Sequence, residues 1–86
     1  MMLSASDAAK RAVHYVTEMT GKHAESVVGV ERTDDGWRIS VEVVESHRIP
    51  DSADILACYQ AEIDGDGELV SYRRIRRYSR GRVERG

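Results

Sequence analysis

Apolar residues follow two different periods along this chain. Ala9, Ala12, Val13, Val16 and Met19 recur every three or four residues, which lines one face of a helix over residues 6–20. Ser4 or Ser6 can cap that helix, because a hydroxyl there accepts a hydrogen bond from a backbone N–H that has no partner inside it. Asp7 stands in the first turn, where the helix dipole favours negative charge, and Gly21 is the expected stop. From residue 27 onward the alternation shortens to every second residue, in runs over 27–32, 37–44, 55–63 and 69–78. That period marks strands with one apolar face.

Asp34-Asp35-Gly36 separates the first two runs, and Asp64-Gly65-Asp66-Gly67 separates the last two. Glycine in such a turn adopts positive φ without steric cost, so each pair of runs reads as a β-hairpin. A two-residue turn at Asp35-Gly36 sets Val28 opposite Val43 and Val30 opposite Val41. One at Asp66-Gly67 sets Ile63 opposite Val70 and Ala61 opposite Tyr72. Both hairpins then gather their apolar residues on one face, and a one-residue slip would turn Arg73 onto that face against Tyr59. The expected fold class is α+β, one N-terminal helix packed on a four-stranded antiparallel sheet made of two consecutive β-hairpins. On the face away from the helix the same alternation places Leu56, Cys58, Leu69 and Ile75. Contiguous exposed apolar surface of that kind marks an interface, and it leaves room for a homodimer formed through that face.

Length sets the scale of the core. A chain of 86 residues is one domain, expected to span residues 1–82 with 83–86 as a frayed C-terminal tail. Such a chain buries only about 60% of the surface its unfolded form exposes, and a stability of about 5 kcal/mol is expected. With 41% hydrophobic and 33% charged residues, the composition excludes a disordered chain. The apolar runs are too short for a transmembrane helix, and the first residues lack the basic region and apolar run of a signal peptide. Cys58 is the sole cysteine, which rules out an internal disulfide and fits the reducing cytoplasm.

Charge changes the picture more. Residues 1–72 hold six Lys/Arg against fourteen Asp/Glu, a net −8; residues 73–86 hold seven arginines against one glutamate, a net +6. Because the arginines begin inside a strand pattern, they are expected to be displayed from a rigid edge. Alternation sends Arg73 and Arg77 outward and Arg74 and Arg76 toward the helix side, either beyond the helix footprint or near Glu31 and Glu45. Such arginines can pair with the chain's own carboxylates, each exposed pair contributing about 0–1 kcal/mol. They can equally grip an acidic protein through planar bidentate forks, or nucleic-acid phosphate.

Other candidate chemistry is sparse. His14, His23 and His47 lack the spacing of metal ligands, and the 64–68 segment lacks the closing glutamate of a calcium loop and reads as a turn. Cys58 alternates with Leu56 and Gln60 in a strand and reads as a small inert hydrophobe. Trp37 opens the second strand as a core anchor. No catalytic residue, metal ligand or cofactor site is assigned, and the chain is not expected to be an enzyme.

Several of these segments carry a resemblance. The run from Val30 through Glu31, Arg32, Asp34, Asp35, Gly36 and Trp37 to Arg38, the stretch Arg48-Ile49-Pro50-Asp51, and above all Tyr72-Arg73-Arg74-Ile75-Arg76-Arg77-Tyr78-Ser79-Arg80 resemble the gas-vesicle accessory protein O family. The similarity covers about residues 7–82. It implies a non-catalytic accessory role in the assembly of gas vesicles, cytoplasmic and vesicle-associated, with other gas-vesicle proteins (shell or accessory) as partners. Members often carry a charged N-terminal extension; this chain has almost none, so a partner site located there is expected to be absent. The family offers no site residues to carry over. From the physical reading alone, the partner-binding residues are Arg73, Arg74, Arg76, Arg77, Tyr78 and Arg80, with Leu56, Leu69 and Ile75 beside them. The alternative is a small nucleic-acid-binding module in which Tyr72 and Tyr78 stack on bases, disfavoured by the acidic body. A small regulatory or inhibitory domain of the same plan is a third class.

Overall fold

Ser4 starts the first element by accepting the Asp7 N–H on its hydroxyl at 3.2 Å. Helix α1 (Ala5–Thr20) follows and ends at Gly21, whose φ of 69° lets its N–H close onto the Thr17 carbonyl. Four strands complete the chain: β1 (His23–Arg32), β2 (Gly36–Ser46), β3 (Ile55–Asp64) and β4 (Leu69–Ser79). They form one antiparallel sheet in the order β1-β2-β3-β4, with α1 on one face. The α+β plan expected from the periodicity is therefore the one found. The computed structural model describes residues 3–50 and 53–80; the expected frayed tail at 83–86 lies outside the described residues.

The core is a seam of small side chains. Ala8, Ala12 and Val16 are fully buried against Ile39, Val41, Val43, Ala57, Ala61 and Ile63. Alanine on both the helix and β3 lets the two backbones approach closely. The buried line of α1 is thus the i, i+4 ladder of Ala8, Ala12 and Val16, rotated from the expected stripe. Met19 lies roughly 60° around the helix from Val16 and is 56% exposed.

The first hairpin turns one residue earlier than expected. Thr33 N–H donates to the Gly36 carbonyl at 2.9 Å, and Gly36 N–H donates to Thr33 Oγ1 at 3.1 Å. The turn therefore takes in Thr33–Gly36, and Val30 stands opposite Ile39 instead of Val41. Gly36 is not in the positive-φ region; its need for glycine is close approach, since a Cβ there would lie 2.0 Å from the Ile63 carbonyl oxygen. Further along β1, irregularities at Val28 and Glu25 shift the pairing, so Val27 opposes Val41 and Ala24 opposes Val43. Each adds one residue and exchanges the faces beyond it.

The second hairpin keeps Ala61 opposite Tyr72 but inserts Val70 as an extra residue, so Ile63 pairs with Leu69. Leu69 consequently packs against the helix-side core, correcting its expected place on the opposite face. The turn is held by Asp64 Oδ1, which accepts the N–H groups of Asp66 and Glu68, both at 2.9 Å. The chain's start is tied to the same end of the sheet. Trp37 Nε1 donates to the Leu3 carbonyl at 3.1 Å, and Tyr15 donates its hydroxyl to the Gly67 carbonyl at 3.3 Å.

Candidate functional site: the arginine edge

Strand β4 is a sheet margin, exposed along most of its length, and a second irregularity at Ile75 decides which way its arginines point. Before it, Arg73 opposes Gln60 on the outer face and Arg74 opposes Tyr59 on the helix side. Beyond it, Arg76 opposes Cys58 and Arg77 opposes Ala57. The alternation is thereby inverted after Ile75: Arg76 is outward and Arg77 faces the helix side, the reverse of the expected assignment for that pair.

On the helix side the two arginines share one carboxylate. Arg74 Nη1 lies 2.9 Å from Glu45 Oε1, and Arg77 Nε lies 3.4 Å from Glu45 Oε2. One negative charge between two guanidinium groups leaves this corner cationic. Tyr72 and Tyr59 complete it, their ring centroids 6.2 Å apart. Among the described residues Arg73 has no carboxylate partner.

The outer face differs most from expectation. Tyr78 stands opposite Leu56, and its hydroxyl donates across β3 to the Glu42 carboxylate on β2. The Arg76 guanidinium lies 5.8 Å from the Tyr78 ring centre. Beneath this cover Val44, Leu56 and Cys58 are buried. Leu56 is therefore not available to a partner, and with Leu69 on the helix side, Ile75 at 44% exposure is the one member of the expected apolar trio left open. Burial pushes the Cys58 thiol above its ordinary value, with the charge of Arg76 opposing. Burial, then the bond to Glu42, holds the Tyr78 phenol well above its own.

Arg80 is anchored, not presented. Its N–H donates to the Asp54 carbonyl at 2.8 Å, and its Nη2 lies 3.2 Å from Asp54 Oδ2 and 2.8 Å from Glu25 Oε2. Asp54, 2% exposed, also accepts the Arg48 N–H at 2.7 Å and faces His47 Nδ1 at 3.4 Å. The Arg48 N–H chiefly, aided by Arg80 and His47, holds this carboxyl below the usual range. Sequence reasoning missed Asp54; the available signal was a lone acid between Ala53 and the apolar start of β3. Arg82 and Arg85 lie outside the described residues.

No group of three or more His, Cys, Asp or Glu suited to a metal ion occurs among the described residues, and none of their helices is long and apolar enough to cross a membrane. The fold and surface define a small helix-on-sheet module whose distinguishing feature is a cationic, partly self-neutralised sheet margin.

The chain belongs to the family described as Gas vesicle synthesis protein GvpO, which it matches over residues 1–84. It is 54% identical over 70 residues to Gas vesicle protein O of a Streptomyces species, covering 81% of this chain and 55% of that protein. It is 37% identical over 76 residues to Gas vesicle protein O1 of Halobacterium salinarum, covering 88% and 64%. With Gas vesicle protein O of Haloferax mediterranei it shares 36% identity over 77 residues, covering 88% and 55%. The chain thus spans between 55% and 64% of the length of these relatives. No solved structure matches it. Family membership gives the chain a gas-vesicle-related role.

Proposed function

We propose that this chain is a non-catalytic accessory protein of gas-vesicle assembly that binds other gas-vesicle proteins along its β4 margin. The supporting observation is the margin itself. β4 lines the sheet's edge with arginines, Arg73 lacks a carboxylate partner among the described residues, and Arg74 and Arg77 divide a single glutamate. An edge strand offers unpaired backbone groups to an added strand. Flanking guanidinium groups select one bearing acidic residues, and Val70, Tyr72 and Ile75 give it exposed apolar contact. Leu56, Leu69, Tyr78 and Arg80 act within the fold and leave the contact set. Base stacking on Tyr78 is disfavoured by its bond to Glu42.

The experiment is co-purification of the other gas-vesicle proteins with this chain and with an R73E/R77E variant, each checked for an unchanged melting curve. Capture should fall at least tenfold in the variant, and wild-type capture should weaken as salt screens the charges. Equal capture by both chains would remove the arginine margin from the function.

A further inference from the structure

The sheet has a second open margin, and its chemistry is the reverse of the first. On β1, Val27, Val28 and Val30 are 37%, 56% and 46% exposed. No lysine or arginine stands between His23 and Glu31 to guard them. Soluble sheets protect open edges with charge, with irregularities or with a covering element; β4 has charge along its length, whereas β1 has two irregularities and charge only toward its ends, at Glu25, Glu31 and Arg32.

The irregularity at Val28 gives this edge a particular symmetry. Val27 opposes Val41 and Val30 opposes Ile39, so both lie on the helix side although three residues apart. Without the extra residue they would fall on opposite faces. Ser26, opposite Glu42, and Glu31, opposite Arg38, share the other face.

We infer that β1 is a homodimer interface in which it lies antiparallel beside β1 of a second copy, with the two-fold axis between Val28 and Gly29. In that register every contact occurs twice, as an isologous interface requires. Val27 meets Val30 of the second copy on the helix side, Ser26 meets Glu31 on the outer side, and at both ends Glu25, which also pairs with Arg80 of its own chain, comes level with Arg32. The kinks at Val28 fall on either side of the axis. A slip of one residue in one direction sets Glu25 against Glu31, like charge against like. A slip in the other sets Val27 against Glu31 and mixes the faces. Charge and face matching therefore select a second copy of this chain as the occupant, and the dimer leaves both arginine margins at its outer ends.

Sedimentation of the purified full chain across a dilution series tests this with no other protein present, so its result is independent of the β4 reading. The expected mass is twice the 9.7 kDa of one chain. V28K, at the most exposed of the three valines, should give the single-chain mass with its circular dichroism spectrum retained. R32E, which leaves the Glu25–Arg80 pair in place, should weaken the dimer at least tenfold, and R32K should stay close to wild type. A wild-type chain of single mass at every concentration, a V28K chain of double mass, or an R32E chain that dimerises as wild type does would each overturn the proposal.

Discussion

Arg80 Nη2 lies 2.8 Å from Glu25 Oε2, although Glu25 belongs to β1 and Arg80 directly follows β4, the opposite margins of the sheet. Buried Asp54 stands between them and binds the same guanidinium nitrogen at 3.2 Å. The end of β4 is strapped to the start of β3 and to β1 through two carboxylates and one arginine.

This strap makes stability depend on acid. Asp54 and Glu25 both titrate below their ordinary values of 3.8 and 4.5, Asp54 chiefly through the Arg48 N–H and Glu25 chiefly through Arg80. A carboxyl with a depressed folded-state pKa contributes stability that is present above its unfolded value and lost as pH falls through the folded one. Urea unfolding free energies should therefore hold steady down to about pH 5 and then fall below about pH 4. D54N should be less stable at neutral pH, with the gap to wild type closing in acid. Parallel curves for the two chains would show that Asp54 does not carry the effect.

Cys58 reports on the outer cover. With Tyr78 in place its thiol is buried and its pKa is raised, so labelling by a thiol reagent under native conditions should be slow. Y78A should speed labelling at least tenfold. Y78F keeps the ring and loses only the bond to Glu42, and should stay close to wild type. Equal rates in Y78A and wild type would mean that the ring does not seal this face.

Two strand glycines should behave oppositely. A Cβ at Gly36 would strike the β3 backbone, and overpacking of this kind costs about 1–3 kcal/mol or more. At Gly29 the nearest atoms, on Ser40, lie at 3.4 Å, so G29A should be neutral or gain up to about 1 kcal/mol from reduced chain entropy. Chemical denaturation of the two variants checks the contrast; a well-tolerated G36A would contradict the close approach of β2 and β3.

The arginine strand was legible, but the direction of its side chains was not. Alternation read correctly from Tyr72 to Arg74 and failed from Arg76 onward, because Ile75 adds a residue that nothing in the local sequence marks. The same happened at Val70, which carried Leu69 to the helix side, and at Val28. On the helix, Val16 was placed correctly and Met19 was not. The buried line follows the alanines that permit close approach to the sheet, and five apolar residues spread over a wide arc do not reveal which line that is.

Period, turn residues and charge distribution are properties of neighbouring residues, so the five elements, the hairpin pairing, the α+β plan and the cationic last strand could be read along the chain. Face, partner and burial depend on residues far apart in the chain. Only the tertiary structure could decide that Glu45 serves two arginines, that Tyr78 closes the outer face, and that Asp54 ties the sheet's margins together. One extra residue in a strand costs little locally yet exchanges the faces of every residue beyond it, and its position is settled by packing on both sides of the sheet.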